Sequence, residues 1–124
     1  MYSIVSLLEE AAEDIRRFEA QAVQALDNET EGKSVHDHWL RRKAKLLRDL
    51  PERASSLVDA LPEKLVDLVM DRLNTFSFNA ANSLRIGSPF YMSALLYPDN
   101  HRQGQPNDLE LLVTDIVREL ERRF

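Results

Sequence analysis

The N-terminal segment carries a helical repeat of apolar side chains that restricts the fold more than any other feature of the sequence. Apolar residues recur at alternating steps of four and three, at Ile4, Leu8, Ala11, Ile15, Phe18, Ala22 and Ala25. Charged residues occupy the opposite side of the same helix. A period near 3.5 is typical of helices that bury one face against other helices. The repeat therefore predicts a long amphipathic helix from about Ser3 to Leu26.

The sequence after this helix continues to favour helical structure. Apolar residues follow helical spacing over about 34–50, 52–61, 63–84 and 107–120. Ser88 and Pro89 supply an N-cap and a first-turn residue for a further short helix that reaches about Tyr97. A polar loop from Pro98 to Pro106 follows, and no alternating, strand-like run exceeds four residues.

Local signals place the boundaries between the first helices. Gly32 is predicted to lie near the C-terminal cap of the first helix, at the end of a polar loop. Ser34 followed by Asp37 resembles a weak capping box, which would open the second helix. Pro51 and Pro62 are each predicted to begin a new helix, because a proline at the first helical position has no N–H to lose.

Length and spacing together predict the fold class. A chain of 124 residues supports one compact core. We predict an all-α protein, a compact bundle of five or six helices in a single domain over residues 1–124. Helix 63–84 is expected in the middle of the bundle, because apolar residues cover most of its circumference. Gly87 is predicted to end that helix, and Asn107 with Glu110 to open the last one.

Composition excludes several classes of function. The chain contains no cysteine, so neither a disulfide framework nor a thiolate metal site can form. No apolar run approaches the roughly 18 residues that a membrane-spanning helix needs, and no targeting segment is recognisable at the N-terminus. We expect a cytoplasmic protein that does not interact with a membrane.

Groups that could support catalysis or bind a metal are few. The cluster His36-Asp37-His38 is the only one that resembles metal ligands, and His101 is the remaining histidine. On a helix, residues two apart point away from each other, whereas zinc-binding helices place histidines four apart. The sequence has no nucleophile elbow, phosphate loop or dinucleotide fingerprint. We therefore expect no enzyme activity, catalytic residue, metal or cofactor, and infer no small-molecule substrate; a histidine-based enzyme or metalloprotein is the remaining alternative.

Charge is distributed unevenly along the chain. Residues 1–32 carry eight acidic and two basic side chains, whereas residues 33–53 carry seven basic and three acidic ones. The simplest interpretation is two neighbouring helices with complementary faces. The alternative is a nucleic-acid-associated regulator that binds polyanions through one basic strip. That strip would consist of Arg41, Arg42, Lys45 and Arg48.

The segment 74–103 combines aromatic and polar side chains in a way that suits either a core corner or a recognition surface. It contains Arg85 and five of the nine aromatic residues, namely Phe76, Phe78, Phe90, Tyr91 and Tyr97. A second candidate surface is the start of the first-helix repeat, if that end is exposed; its residues are Ile4, Leu7 and Leu8. We therefore hypothesise a non-enzymatic protein–protein interaction module, an adaptor, regulatory subunit or assembly factor. A homodimer would be its simplest assembly.

Overall fold

The structure, a computed structural model, describes residues 2–27 and 30–122. Its elements are five α-helices and one short 3-10 helix, and no strand occurs among the described residues. The α-helices are α1 (Ile4–Ala25), α2 (Gly32–Ala54), α3 (Glu63–Ile86), α4 (Pro89–Ala94) and α5 (Asp108–Arg122). A 3-10 helix, Val58–Ala60, connects α2 to α3. The helices pack against one another in one bundle, which confirms the predicted all-α class.

The long first helix is confirmed, and its whole repeat faces the interior. The hydroxyl of Ser3 accepts the N–H of Ser6 at 3.2 Å and caps the helix. The helix ends at Ala25, within one residue of the predicted boundary. Its buried residues are Ile4, Leu7, Leu8, Ala11, Ala12, Ile15, Phe18, Ala22 and Ala25.

The middle of the bundle is α2, which packs against α1, α3 and α4. The expectation that helix 63–84 is central is therefore wrong. α3 buries one stripe along its length and leaves Leu68, Phe78 and Ile86 exposed on other sides. The buried stripe consists of Leu65, Val69, Leu73, Phe76, Ala80 and Ser83.

α2 begins earlier than predicted. Gly32 is its first residue, and a β-carbon there would lie 2.7 Å from the carbonyl oxygen of Ala25. Only glycine therefore allows the end of α1 and the start of α2 to approach so closely. The helix is already under way at Ser34 and Asp37, so the predicted capping box at these residues is wrong. Residues 28 and 29 of the predicted loop lie outside the described residues.

α2 also continues through Pro51 to Ala54, so the separate helix predicted over 52–61 is wrong. A proline inside a helix has no N–H for the carbonyl one turn earlier. In this turn the hydroxyl of Ser77 on α3 donates to the carbonyl oxygen of Arg48 at 2.6 Å. The neighbouring helix thus supplies a hydrogen bond beside the position where the proline removes one.

The signals that surround α4 are confirmed at its start. Gly87 ends α3 in the left-handed conformation, with φ of 73°. The hydroxyl of Ser88 then accepts the N–H of Tyr91 at 3.2 Å, and Pro89 occupies the first turn. The helix ends at Ala94, earlier than predicted, because the backbone turns away from helical geometry in the next two residues.

α5 begins with the predicted reciprocal cap. The side-chain oxygen of Asn107 accepts the N–H of Glu110 at 2.9 Å. The carboxylate of Glu110 accepts the N–H of Asn107 at 2.8 Å in return. Within the described part of the chain, no helix is both long enough and apolar enough to cross a membrane.

Candidate protein-binding surface

Four large apolar side chains on α3 and α4 are exposed to solvent. The exposed fractions are 67% for Phe78, 54% for Ile86, 74% for Phe90 and 52% for Tyr91. The rings of Phe90 and Tyr91 meet edge to face at 5.8 Å, and Ile86 and Tyr91 line the same cleft. We refer to Ile86, Phe90 and Tyr91, which these contacts bring together, as the exposed apolar face; Phe78 is exposed two turns earlier on α3. Isolated exposed apolar residues are ordinary, whereas neighbouring ones are typical of interaction surfaces.

The short helix α4 is the reason why Phe90 and Tyr91 face solvent. Met92 is the buried residue of α4 and belongs to the main core. Residues two apart on a helix point in nearly opposite directions, so Phe90 lies on the side away from the core. Tyr91 lies on the α3 side, where it lines a cleft. Anchoring α4 by Met92 therefore presents both rings outward.

A cleft of about 410 Å³ lies beside the exposed apolar face, between α3, α4 and the segment that leads to α5. We refer to it as the α3–α4 cleft. Its apolar lining includes Leu47, Phe76, Leu95 and Leu96. Polar groups in its lining include the amides of Asn79 and Asn82 and the carboxylate of Asp108. Within the described chain, none of these three side chains has a hydrogen-bond or ion-pair partner.

One wall of the cleft contains a leucine in a strained backbone conformation. Leu96 has φ of 74°, a region that costs a residue with a β-carbon about 1–3 kcal/mol. Its side chain is buried, and its carbonyl oxygen accepts the N–H of Asp108 at 3.0 Å. This turn therefore joins the end of α4 to the start of α5. Strain of this kind is often found at binding sites.

Behind the cleft, a buried lysine joins α1, α2 and α4. Lys43 is 0% exposed, and its Nζ lies 3.0 Å from the carboxylate of Glu19. The same Nζ donates to the carbonyl oxygen of Ser93 at 3.1 Å and lies 5.0 Å from the centre of the Tyr97 ring. Burial lowers the pKa of Lys43, and the negative charge of Glu19 opposes that effect. The ammonium group therefore has a partner in each neighbouring element.

Tyr97 connects this lysine site to the loop before α5. Its hydroxyl donates to the carboxylate of Glu19 at 2.7 Å and accepts from the guanidinium of Arg16 at 3.1 Å. Burial, followed by the hydrogen bond to Glu19, raises the pKa of Tyr97 to about 12. The same ring lines the α3–α4 cleft. The hydrogen bonds of Tyr97 therefore fix one wall of that cleft.

Arg16 extends the network to α5. Its guanidinium contacts the two carboxylate oxygens of Glu110 at 2.6 and 3.2 Å and donates to the carbonyl oxygen of Gln105 at 3.3 Å. The hydrogen bonds from Arg16 hold the pKa of Glu110 below its usual value. His101 packs edge to face on Tyr97 at 4.7 Å, and its Nε2 lies 3.0 Å from the carbonyl oxygen of Gln105. The loop over 98–106 is thus attached to α1.

The burial of Lys43 and its pairing with Glu19 are not predicted by the sequence. Lys43 belongs to the basic segment 33–53, and Glu19 to the charged side of α1 opposite the apolar repeat. A signal for Lys43 was present, because its position follows the same spacing as the buried stripe of α2. That stripe includes Leu40, Lys43, Ala44, Leu47 and Leu50. Charge alone suggested an exposed side chain, and the partner of the lysine lies on a different helix.

The candidate surface at the start of the first helix is contradicted by the structure. Ile4, Leu7 and Leu8 are at most 2% exposed and belong to the main core. α5 packs against α1 and contributes Leu109 and Leu112 to the same core. The chain itself therefore covers this end of the repeat. The prediction that these three residues bind a partner is wrong because their side chains do not reach the surface.

The residues predicted in 74–103 divide into an inner and an outer set. Phe76 belongs to the main core, and Tyr97 is half-buried in the network described above. Phe78, Phe90 and Tyr91 are exposed. Arg85 is also exposed, on the last turn of α3. Of the predicted set, the structure brings Phe76, Tyr91 and Tyr97 together in the lining of the α3–α4 cleft.

The four residues of the predicted basic strip on α2 have unequal surroundings. The guanidinium of Arg42 lies over the rings of Phe18 and Trp39, at 4.7 and 5.3 Å from their centres. Arg48 pairs with its neighbour Asp49 at 2.9 Å. Lys45 is exposed and Arg41 is half-buried. The expected pairing of an acidic α1 with a basic α2 occurs through Lys43 and Glu19, a pair that the sequence did not predict.

The three histidines take separate roles. His36 and His38 both lie within α2, where Nδ1 of His36 is 2.8 Å from the carbonyl oxygen of Ala22. His38 packs edge to face on Trp39 at 5.3 Å. His101 lies in the loop before α5, beside Tyr97. Among the residues that the structure describes, no three His, Asp or Glu side chains come together as metal ligands would.

Comparisons with protein-family models, with curated protein sequences and with solved structures found no match. The function proposed below is therefore derived from the surface chemistry of the chain itself.

Proposed function

We propose that the protein is a non-enzymatic interaction module that binds a partner protein through the exposed apolar face of α3 and α4. The observation that supports this most directly is the joint exposure of Ile86, Phe90 and Tyr91. Burying one large apolar side chain contributes about 1.5–3 kcal/mol. Phe, Tyr and Ile side chains on neighbouring helices therefore offer a partner a substantial gain in free energy. Such a module would serve as an adaptor, a regulatory subunit or an assembly factor.

The surroundings of the charged groups favour binding over catalysis. The charges of Arg16, Glu19, Lys43 and Glu110 are each engaged by an ion pair within the network. Lys43 is also fully covered, so a substrate does not reach its Nζ without movement of α4 or Tyr97. These groups stabilise the bundle and hold the loop before α5. The exposed apolar side chains and the unpartnered amides lie outside this network, on α3 and α4.

The proposal is tested by comparing the wild-type chain with the double variant Phe90→Ser/Tyr91→Ser. Leu68→Ser is the matched control, because Leu68 is also exposed on α3 but lies about 15 Å along the helix from Phe78. Each protein is used to capture partners from native cell extract, and captured proteins are quantified by mass spectrometry. The partner is then purified and its Kd measured against all three proteins.

We expect the partner to be retained by the wild type and by Leu68→Ser and lost by the double variant. Circular dichroism should show the same helix content and a similar Tm for all three, because the substituted side chains are exposed. A set of captured proteins that is the same for the double variant and the wild type would contradict the proposal. Light scattering on the same samples decides whether the partner is a second copy of this chain.

The nucleic-acid alternative predicts a different pattern in the same set of proteins. It requires binding to an oligonucleotide that weakens steeply with salt, and a smaller salt dependence in Arg41→Gln/Lys45→Gln. Arg41 and Lys45 are chosen because Arg42 packs on aromatic rings and Arg48 pairs with Asp49. Salt-dependent oligonucleotide binding that the Phe90→Ser/Tyr91→Ser variant retains would replace the proposed function by this alternative.

A further inference from the structure

We propose that the α3–α4 cleft binds an extended peptide segment of the partner, in which an apolar residue stands next to a lysine or arginine. Asn79 and Asn82 hold the peptide backbone, the apolar side chain enters the cleft, and the basic side chain pairs with Asp108. This inference rests on the proposed function and specifies the chemistry of the partner.

The two amides suit a peptide backbone. A side-chain amide carries one acceptor oxygen and a donor NH2 group, which complement the N–H and C=O of a peptide unit. Asn79 and Asn82 are three residues apart on one side of α3, about 4.5 Å along the helix axis. Both line the cleft, and neither side chain has a partner within the described residues. They are therefore free to bind one stretch of chain together.

The two amides favour an extended chain over a helix. The backbone N–H and C=O groups of a helix are already bonded to one another, whereas those of an extended segment are free to bind side chains. The cleft of about 410 Å³ presents both amides and an apolar lining to such a segment. Ile86, Tyr91 and the buried Leu47 all line the cleft, so an apolar side chain that enters it meets apolar contacts. The backbone that carries it then lies across the two asparagine amides.

The charge of the cleft lining determines which residue of the peptide stands next to the apolar one. Asp108 is the only charged side chain that lines the cleft, and within the described chain its carboxylate has no ion-pair partner. Asp99 and Arg85, although adjacent in sequence to the lining residues Pro98 and Ile86, do not line the cleft. A lysine or arginine in the peptide complements this acidic wall, whereas an acidic peptide is repelled.

The test begins with a display library of random peptides selected on the full-length protein. The selected peptides are synthesised, and their Kd is measured by fluorescence polarisation. The variant Asn79→Ala/Asn82→Ala removes the backbone contacts, and Asp108→Lys reverses the charge of the wall. Asn74→Ala is the matched control, because Asn74 is exposed on α3 but does not line the cleft. Circular dichroism checks that each variant keeps its helix content.

We expect selected peptides to contain an apolar residue beside a lysine or arginine. Asn79→Ala/Asn82→Ala should weaken their binding about tenfold, the loss expected for one or two hydrogen bonds. N-methylation of the peptide backbone at the apolar residue should weaken it similarly. Asp108→Lys should favour acidic peptides instead, and Asn74→Ala should leave the Kd unchanged. Absence of enrichment, or peptides whose Kd is the same for all variants, would overturn the inference.

The purified partner separates failure of this inference from failure of the proposed function. If capture of the partner depends on Phe90 and Tyr91 but not on Asn79 and Asn82, the interaction surface stands and the peptide site is refuted. If capture depends on neither pair, the proposed function itself is refuted. Loss of capture by Phe90→Ser/Tyr91→Ser and by Asn79→Ala/Asn82→Ala supports both the proposed function and the peptide site.

Discussion

α1 and α3 have similar lengths, 22 and 24 residues, yet the bundle uses their apolar side chains differently. In α1 the apolar repeat is a single stripe that the rest of the chain covers, and Val23 is exposed outside it. In α3 one stripe is covered in the same way, while the larger group Leu68, Phe78 and Ile86 remains in solvent. These exposed side chains contribute little to folding. A helix that is apolar on several sides can therefore indicate a binding surface as well as a central position.

The polar side chains of α1 and α3 also differ in whether the rest of the chain provides them with partners. Arg16 and Glu19 on α1 are held by ion pairs to Glu110 and Lys43. Asn79 and Asn82 on α3 face a cleft without partners among the described residues. Arg16 and Glu19 are thus satisfied internally, whereas Asn79 and Asn82 offer free hydrogen-bonding groups in the cleft that Tyr91 also lines.

The largest effect is expected at the buried ion pair of α1. Glu19→Ala leaves the ammonium group of Lys43 without its counter-charge in the interior, which should lower the free energy of unfolding by about 3–5 kcal/mol. Urea denaturation measures this change. Asn79→Ala on α3 should leave the unfolding free energy nearly unchanged. The double variant Glu19→Ala/Lys43→Met should recover much of the loss, because it removes the buried charge as well. Equal stability of Glu19→Ala and the wild type would remove the contrast between the two helices.

Truncating one apolar side chain on each helix tests the same comparison of α1 with α3. Leu8→Ala creates a cavity in the core and should lower the unfolding free energy by about 2–5 kcal/mol. Phe78→Ala removes a larger side chain from α3 but should change it by less than about 0.5 kcal/mol, because that ring is exposed. Both values come from thermal or urea denaturation of purified protein. A large loss in Phe78→Ala would show that the ring contributes to folding.

A glycine lies where α1 meets α2 and another between α3 and α4, for different physical reasons. Gly32 avoids a contact with the carbonyl of Ala25, so Gly32→Ala should cost about 1–3 kcal/mol. Gly87 has a positive φ, so Gly87→Ala should cost about 1–2 kcal/mol. Asparagine separates the two causes, because it accepts the left-handed conformation. Gly87→Asn should be milder than Gly87→Ala, whereas Gly32→Asn should be no milder than Gly32→Ala. The Tm of the four variants provides the measurement.

The smallest effect is expected for the fall in unfolding free energy at acid pH. The pKa of Glu110 is lower in the folded protein than its ordinary value of 4.5, chiefly because Arg16 donates hydrogen bonds to it. Its contribution to stability is therefore complete above pH 4.5 and is lost as the pH falls through the lowered pKa. The pair is partly exposed, so we expect about 1 kcal/mol or less. Unfolding free energies of the wild type should fall more steeply below pH 4.5 than those of Glu110→Gln; parallel curves would contradict this.

Local sequence signals predicted the boundaries that depend on a few adjacent residues. Ser88 with Pro89, Gly87, and Asn107 with Glu110 act through hydrogen bonds within one helical turn, so the sequence contains all their partners. Pro51 misled the prediction, because its helix continues through a proline beside a hydroxyl from α3. The sequence around Pro51 contains no pattern that predicts this contact with α3.

The candidate site was predicted in part for a similar reason. Phe78, Phe90 and Tyr91 belong to the recognition segment that the sequence singled out, and all three are exposed in the structure. The wrong candidates, Ile4, Leu7 and Leu8, are covered by a helix about a hundred residues later in the chain. Which helix covers which stripe depends on the tertiary arrangement. The cleft and its free amides depend on it too, so periodicity does not predict them.

The position of Trp39 determines what the intrinsic fluorescence of this protein measures. It is the only tryptophan of the chain, and its ring stacks on Phe18 at 5.7 Å, between α1 and α2. Intrinsic fluorescence therefore follows the separation of α1 from α2 and carries little signal from the exposed face of α3 and α4. A partner that docks beside Phe90 should leave the emission maximum almost unshifted even at saturation. Phe90→Trp would place a second emitter within that face, where burial by a partner shifts its emission to shorter wavelength.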